Sequence, residues 1–227
     1  MKLTGISACV FDAYGTIFDL DSVVMACRDV LGDKVGPLSD LWRRKQLEYS
    51  WLRSLMGRHA DFARVTADAL DYALKAQGIA DGELATKLRQ AYLTLPPYGD
   101  AAAALTALRQ TGRRTAILSN GSPAMLDPMV KKSGLAPLLD MLLSIEDVGV
   151  FKPHPKVYAL ACDRLALPAA QIAFVSANGW DAAGAAAFGF TVAWLNRRAE
   201  PEELLPAKPS ATIASLAELP ALFGAGA

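Results

Sequence analysis

Apolar residues recur along this chain with two different spacings. Short apolar runs predict strands at 6–11, 115–119, 141–144, 172–175 and 191–195, and a last strand–helix unit at 211–222. Helical periodicity between those runs predicts helices at 100–110, 123–133, 155–165 and 181–188. Strands that alternate with helices of this length are typical of an α/β protein with a doubly wound parallel sheet, the Rossmann-like arrangement.

The stretch from residue 19 to residue 97 shows helical periodicity throughout. It predicts helices at 22–31, 39–56, 61–77 and 81–95. Asp61 and Asp81 stand at the N-cap positions of the last two helices. We therefore interpret 19–97 as a helical cap subdomain inserted into a core domain formed by residues 1–18 and 98–227. The sequence Pro-Pro-Tyr-Gly at 96–99 is the predicted hinge.

The helix predicted at 39–56 is apolar on more than one side. Its main apolar positions are Leu41, Trp42, Leu52, Leu55 and Met56. Leu47 and Trp51 lie off that stripe. Because such a helix packs against two surfaces, we expect it to lie between the core and a second surface, for which a subunit interface is one candidate.

Composition narrows the function classes. The 227 residues carry 23 basic and 23 acidic side chains, so no overall field attracts nucleic acid or an anionic membrane. No apolar run approaches the ~18 residues of a membrane span, and the N-terminus has no signal-peptide layout. The three cysteines fit neither a disulfide nor a metal spacing. These features predict a cytoplasmic protein with reduced thiols and no membrane or nucleic-acid partner.

Asp12 closes the first predicted strand, and Gly15 supplies the turn that follows it. Ligands of open α/β sheets bind at the carboxyl ends of the strands. A carboxylate at that point can act as a nucleophile towards a bound substrate. Asp is equally common as the cap of a following helix, and Asp12 alone does not separate the two interpretations.

Polar residues also follow the second strand. Ser119 and Asn120 lead into a helix N-terminus, which is typical of an anion-binding loop, although the Ser-Pro pair that follows would suit an ordinary helix start. Lys152 lies in the loop before the helix at 155–165 and would by itself be an ordinary surface lysine. Beside a buried Asp12, its ammonium would keep that carboxylate ionised.

The loop after the fourth strand presents Ser176, Asn178 and Asp181 before the next helix begins. Asp181 could serve only as a helix cap. However, the chain carries in order a strand-end carboxylate, a Ser-Asn pair, a loop lysine and a second strand-end carboxylate. This order indicates that the four groups form one shared site.

These residues resemble the four motifs of the haloacid dehalogenase superfamily, and the resemblance extends over the whole chain. The likeness is strongest to the L-2-haloacid dehalogenase family. Residues 12–16 read Asp-Ala-Tyr-Gly-Thr, residues 118–122 read Leu-Ser-Asn-Gly-Ser, and residues 176–181 read Ser-Ala-Asn-Gly-Trp-Asp. The cap stretch at 41–49 also resembles that family.

The resemblance implies a hydrolase that needs no metal or other cofactor and converts L-2-haloacids to D-2-hydroxyacids. Asp12 would attack C2 of the substrate and expel halide, leaving an ester. Water activated by Asp181, with Ser176 and Asn178 nearby, would then cleave the ester. Lys152, Ser119 and loop N–H groups would neutralise the substrate carboxylate.

The resemblance also assigns roles to residues that would otherwise count as surface or core. Arg43 would bind the halide with Asn120 as its partner. Tyr14, Leu47, Phe62 and Trp180 would line the pocket. Tyr158 would bond within the Lys152 network, and Thr16 would bond the nucleophile or its loop. A homodimer is also implied, in agreement with the two-sided helix.

Tyr14 is where the sequence departs from most of the superfamily, whose magnesium-dependent phosphohydrolases carry Asp-x-Asp-x-Thr. The second Asp protonates an alkoxide leaving group there, whereas halide leaves without a proton. Ser176 and Asn178 leave Asp181 as the carboxylate of its loop, a thin ligand set for magnesium. Three alternatives stay open: a magnesium phosphatase with an atypical motif, a non-catalytic binding protein, and a dehalogenase that prefers haloacetates.

Overall fold

Short apolar segments form one parallel sheet in the computed structural model, which describes residues 3–223. The strands are β1 (Ala8–Phe11), β2 (Arg114–Ser119), β3 (Met141–Ser144), β4 (Ile172–Ser176), β5 (Thr191–Leu195) and β6 (Ala211–Ile213). They lie in the order β3-β2-β1-β4-β5-β6, and each neighbouring pair is parallel. The predicted doubly wound α/β fold is confirmed.

The central strand β1 is buried along its whole length. Phe11 at its end lies opposite Ile117 of β2 and Val175 of β4. The direction of winding reverses between β1 and β4, and sheets of this kind bind ligands in the crevice at such a point. Asp12 follows β1 directly into this crevice, and its backbone N–H donates to the carbonyl oxygen of Val175 at 2.9 Å.

The helices lie between these strands in the chain, except for the last one, which follows β6. Those between β1 and β2 are α1 (Asp21–Met25), α2 (Arg28–Leu31), α3 (Val35–Met56), α4 (Phe62–Ala76), α5 (Gly82–Tyr92) and α6 (Ala101–Gln110). The later ones are α7 (Pro123–Lys132), α8 (Pro155–Leu165), α9 (Gly179–Phe188) and α10 (Leu219–Phe223). Among residues 3–223, no helix combines the length and the apolar character that crossing a bilayer requires.

The cap helices mostly begin where the sequence predicts. The Asp61 carboxylate accepts the Arg64 N–H at 2.7 Å, and the Asp81 carboxylate accepts the Leu84 N–H at 2.9 Å, so both predicted N-caps are confirmed. The single helix predicted at 22–31 is wrong. Two short helices, α1 and α2, replace it, because Cys27 leaves the helical region with φ −115° and ψ 15°.

The long helix α3 buries a different stripe from the one predicted. Its buried residues are Leu38, Trp42, Gln46 and Ser50, spaced four residues apart along one face. This face packs mainly on α4. The other apolar positions do not follow that row, and Leu52, Leu55 and Met56 are 43%, 84% and 62% exposed.

The helical segment joins the sheet through two connections that lie side by side. The Asp19 N–H donates to the carbonyl oxygen of Pro96 at 2.9 Å, and the Tyr98 N–H donates to that of Ile17 at 2.9 Å. Phe18 also forms a bridge with Pro97. The predicted hinge therefore lies where the chain leaves and re-enters the sheet region.

Asp100 ties together loops near this crossing. Both of its carboxylate oxygens accept from Arg197, each at 2.9 Å. One of them also accepts the Ser215 hydroxyl at 2.8 Å and the Leu216 N–H at 2.9 Å. Burial alone would raise the pKa of Asp100, but these bonds and the Arg197 charge lower it below the ordinary 3.8.

Candidate active site

Asp12 lies at the centre of a group of polar side chains at the carboxyl edge of the sheet. Lys152 Nζ donates to Asp12 Oδ1 at 3.0 Å. Thr16 Oγ1 and Asn178 Nδ2 donate to Oδ2 at 3.2 and 2.8 Å. Both oxygens of this buried carboxylate are held in fixed directions, which is the preorganisation that an attacking group needs.

The Lys152 ammonium lies between two buried carboxylates. Besides Asp12 it contacts Oδ2 of Asp181 at 2.9 Å. Burial alone would lower the pKa of Lys152, but the charges of Asp12 and Asp181 outweigh burial and raise it above 10.5. Lys152 therefore stays charged and compensates two acids that could not lie so close without it.

Asp181 is fully buried, and Tyr158 holds its second carboxylate oxygen. The Tyr158 hydroxyl donates to Oδ1 at 2.8 Å. Burial raises the pKa of Asp181 above 3.8, and the Asp12 charge adds to that shift, while Lys152 and Tyr158 oppose it. A raised pKa makes Asp181 a better proton acceptor than an exposed carboxylate. Burial also raises the pKa of Tyr158, which keeps its hydroxyl protonated as a donor.

Asn178 connects Asp12 with the cap. Its Nδ2 donates to Asp12 and, at 3.3 Å, to the carbonyl oxygen of Tyr14, while its Oδ1 accepts from Arg43 at 2.9 Å. Ser176 Oγ accepts the Asn178 N–H at 3.1 Å. The structure therefore places Ser176 under the loop, where it holds the Asn178 backbone in position.

Thr16 lies between Asp12 and the loop after β4. Besides donating to Asp12, its Oγ1 accepts the Ala177 N–H at 2.8 Å. The hydroxyl thus connects the turn after β1 with the neighbouring strand end. Because both strand ends are held by one atom, the nucleophile and the Asn178 loop keep a fixed separation.

The end of β2 and the loop after it bring Ser119 and Asn120 into the same region. Ser119 Oγ accepts the Gly121 N–H at 3.0 Å, so its hydroxyl proton is left to donate. Asn120 Oδ1 accepts the Lys152 N–H at 3.1 Å. Asn120 therefore fixes the lysine loop with its carbonyl oxygen, and its NH₂ group is left to donate to a ligand.

Arg43 reaches the site from α3. The guanidinium donates to Asn178 Oδ1 at 2.9 Å and to Gln46 Oε1 at 2.7 Å. Asn120, predicted to bind the halide together with Arg43, uses its carbonyl oxygen for the lysine loop, so its NH₂ group is the donor left for an anion. The bond between Arg43 and Asn178 follows from the position of α3 over the loop after β4, which the sequence does not encode locally.

The Tyr14 ring, two residues after Asp12, packs among aromatic rings of the cap. The Tyr14 ring lies 5.5 Å from that of Phe62 and 5.3 Å from that of Tyr92, centroid to centroid. Among residues 3–223, the buried Tyr14 hydroxyl has no hydrogen-bond partner. It lies so close to Gly121 that a Cβ there would come within 2.7 Å of the Tyr14 oxygen. Glycine at 121 is therefore needed to accommodate Tyr14.

A cavity of about 480 Å³ opens beside this group, between α1, α3 and the loops after β4 and β5. The predicted pocket residues Leu47 and Trp180 line it, together with Arg43 and Asn178. Asp12 does not line it but bonds Asn178 directly. The cavity therefore approaches the nucleophile through the Arg43–Asn178 pair.

Three buried polar residues near Arg43 were not singled out from the sequence: Gln46, Thr66 and Tyr92. Gln46 lies in the buried row of α3, four residues after Trp42. A polar residue at that spacing between apolar positions is a detectable signal. The partners on α4 and α5 become visible only once the three helices are packed.

The donor set does not suit magnesium. The Lys152 ammonium lies within 3.0 Å of the carboxylates of both Asp12 and Asp181, so these two acids already bind a cation. Residue 14 offers a phenol instead of a carboxylate. Over the described range 3–223, no three His, Cys, Asp or Glu side chains are grouped as metal ligands.

Comparison with known proteins agrees with this geometry. Residues 6–189 match the family model of haloacid dehalogenase-like hydrolases, the class that the parallel sheet and its strand-end acids define. The chain is also 45% identical, over 219 residues and 96% of each sequence, to (S)-2-haloacid dehalogenase 1 of Pseudomonas sp. (strain CBS-3). The chain belongs to the haloacid dehalogenase-like hydrolases and, within them, to the (S)-2-haloacid dehalogenase family.

Solved structures give the same relationship. A dehalogenase captured with an intermediate complex superimposes with a TM-score of 0.95 at 43% identity, over 97% of this chain and 98% of that one. The L-2-haloacid dehalogenase of Xanthobacter autotrophicus with covalently bound chloropropionic acid gives a TM-score of 0.88 at 40% identity, over 96% and 98%. Covalent chemistry is thus on record for a structure similar to this chain.

Proposed function

We propose that this protein is a hydrolytic (S)-2-haloacid dehalogenase that converts short L-2-haloacids and water to D-2-hydroxyacids and halide. The observation that carries the proposal is the fixed Asp12 carboxylate, bonded by Lys152 and Asn178 at the switch point of the sheet. The substrate class and the halide-binding role of Arg43 and Asn120 come from the resemblance to the family, and the contacts of Asp12, Lys152 and Asp181 support the two steps.

In the first step Asp12 attacks C2 of the haloacid from the side opposite the halogen. The carbon–halogen bond breaks, halide leaves with the bonding electrons, and an ester joins Asp12 to the acid. This displacement inverts C2. The substrate carboxylate is neutralised by Lys152, the Ser119 hydroxyl and nearby N–H groups, and the halide departs towards Arg43 and the Asn120 amide.

In the second step water adds to Cγ of the Asp12 ester, and Asp181 accepts the proton. The bond between Cγ and the hydroxyacid oxygen then breaks and Asp181 passes its proton to that oxygen, while the second water proton is released to solvent as Asp12 returns to a carboxylate. Tyr158 and Lys152 hold Asp181 for this transfer, while Thr16, Ser176 and Asn178 fix the loop around the ester. No metal takes part in either step.

The pocket walls exclude solvent from the reacting carbon. Tyr14, in the turn after β1, packs against Phe62 of the cap, and Leu47 and Trp180 line the cavity that approaches Asp12. Tyr14 adds no acid at this position, which suits a leaving group that needs no proton. The same feature disfavours a phosphatase, and the intact Asp12–Lys152–Asp181 arrangement disfavours a binding protein without catalysis.

The assembly and its location form part of the proposal. Residues 19–97 are a cap subdomain on a core of residues 1–18 and 98–227, consistent with the paired crossings at Asp19 and Tyr98. The exposed apolar end of α3, at Leu55 and Met56, supports a homodimer interface. We expect a cytoplasmic enzyme with a small-molecule substrate and no nucleic-acid or membrane partner.

The decisive experiment measures halide release from L- and D-2-chloropropionate by wild type and Asp12→Asn. We expect release from the L form only, no change with EDTA, and loss of release in the variant. Equal activity on both enantiomers, or activity that survives Asp12→Asn, would overturn the mechanism. Phosphate release from a phosphomonoester in magnesium, without halide release, would support a phosphatase instead.

A further inference from the structure

Gln46 is a buried amide that the proposed mechanism leaves without a role. It is 1% exposed and lies in the row of α3 that packs on α4, where an apolar side chain would be the simpler choice. Its Oε1 accepts from Arg43 at 2.7 Å, and its Nε2 donates to Thr66 Oγ1 at 2.6 Å and to the Tyr92 hydroxyl at 2.9 Å. Every polar atom of the amide is therefore bonded.

The network determines which end of the amide faces Arg43. The Thr66 hydroxyl donates its proton to the carbonyl oxygen of Phe62 at 2.6 Å, so Thr66 can only accept from Gln46. A flipped amide would point an oxygen at that acceptor and an NH₂ group at the guanidinium. Gln46 therefore presents its carbonyl oxygen to Arg43 in a fixed direction.

This oxygen, together with Asn178, holds the guanidinium by two different nitrogens. Gln46 binds one terminal nitrogen and Asn178 the other. Both acceptors are neutral amides, so they orient Arg43 without cancelling its positive charge. A carboxylate in place of Gln46 would orient Arg43 but would weaken its attraction for an anion.

We infer that Gln46 is a positioning residue that sets the Arg43 guanidinium to receive the departing halide. The inference rests on the proposed function, because it assigns to Arg43 the leaving-group side of the displacement. It adds a specific consequence. If Gln46 acts through Arg43, its loss affects chloride departure more than bromide departure, because chloride is the poorer leaving group and depends more on the cation.

The test compares Gln46→Leu with wild type on L-2-chloropropionate and L-2-bromopropionate. The readout is kcat/KM, which covers the steps through halide expulsion and does not depend on ester hydrolysis. We expect a roughly 10- to 100-fold loss on the chloro substrate, as for other misplaced catalytic groups, and a smaller loss on the bromo substrate. The bromo-to-chloro ratio therefore rises.

Two further variants separate positioning from folding. Leu74→Ala removes a buried side chain of α4 outside this network and should destabilise the helices without changing the bromo-to-chloro ratio. Thr66→Val removes the acceptor that orients the Gln46 amide and should raise the ratio in the same direction. If Gln46→Leu does not fold, Thr66→Val carries the test.

An equal loss on both substrates in Gln46→Leu and Thr66→Val would overturn the inference and leave Gln46 a structural residue. The wild-type arm tests the proposed function separately. Wild type without halide release would contradict that function, whereas an unchanged ratio in an active series contradicts only the role of Gln46.

Discussion

The Tyr158 hydroxyl donates to Oδ1 of Asp181 at 2.8 Å in the fully buried interior beside β4. Lys152 does not contact this oxygen, because its ammonium bonds the other carboxylate oxygen, Oδ2. Asp181, the proposed base of the second step, is thus held at both oxygens. Its orientation depends on α8, an element that contributes no other residue to the proposed reaction.

Removing this hydroxyl should slow ester hydrolysis more than halide release. For Tyr158→Phe we expect a fall of roughly 10- to 100-fold in the hydrolysis rate, the range for a lost hydrogen bond to a charged group. The covalent ester should then accumulate, and intact-protein mass spectrometry after mixing with L-2-chloropropionate measures it. Unchanged hydrolysis with slower halide release would assign Tyr158 to the other step.

The pH dependence of hydrolysis should reflect the raised pKa of Asp181. Burial favours the neutral carboxylic acid. As the pH falls, Asp181 therefore becomes protonated at a pH above the ordinary carboxyl pKa of 3.8. We expect the acidic limb of single-turnover ester decay to lie above 3.8, because the burial that raises the pKa of Asp181 does not depend on the charge of Asp12, which the ester removes. Circular dichroism at each pH controls for unfolding, and an acidic limb below 3.8 would contradict the assignment.

Gly184 on α9 should tolerate no side chain. A Cβ there would lie 2.6 Å from Pro153 Cβ and 2.7 Å from the Tyr158 oxygen. We expect Gly184→Ala to cost about 1–3 kcal/mol in the free energy of unfolding, as overpacked sites do. Urea unfolding measures this loss.

Gly36 in α3 provides the matched control. Within the described part of the chain, nothing lies within 4 Å of a Cβ built there. Gly36→Ala should therefore be neutral or more stable by up to about 1 kcal/mol. A similar loss of stability in both variants would show that helix backbone effects, and not the contact with Tyr158, are responsible.

Asp100 should stabilise the fold in a pH-dependent manner. Its folded pKa is lowered, so the carboxylate stabilises the protein above the ordinary 3.8 and this contribution is lost as the pH falls through the folded pKa. Asp100→Asn should therefore have a lower melting temperature than wild type near neutral pH, and the two curves should converge in acid. Exposed Asp33→Asn serves as the control, and a pH-independent difference would contradict the linkage.

The sequence predicts the sheet and the strand-end residues well for a physical reason. Asp12 and Asp181 each follow a short buried run, and parallel strands bring their carboxyl ends to one edge whatever the details of packing. The order of the strand-end groups, and not Lys152 by itself, predicts that this lysine shares the site with Asp12, where its Nζ lies 3.0 Å from Oδ1. Contacts that follow from the topology of the sheet can therefore be predicted from the sequence.

Contacts that depend on how the helices pack are harder to predict from the sequence. The apolar content of α3 suggested a stripe through Leu52 and Leu55, yet the buried row passes through Gln46 and Ser50. Hydrophobicity marks which residues can be buried, while the angle at which α3 crosses α4 decides which are. For the same reason the bond between Arg43 and Asn178 is not predictable from the sequence.

The two adjacent crossings at Asp19 and Tyr98 have an evolutionary consequence. Because residues 19–97 leave and re-enter the sheet region at adjacent points, another segment can replace them without interrupting a strand. The attacking acid would stay behind in such an exchange, while Arg43 and Gln46 would travel with the insert. In this architecture the attacking carboxylate and the residues proposed to receive the halide are therefore encoded by separate segments. Replacing the inserted segment would change the leaving-group preference and leave the carboxylate in place.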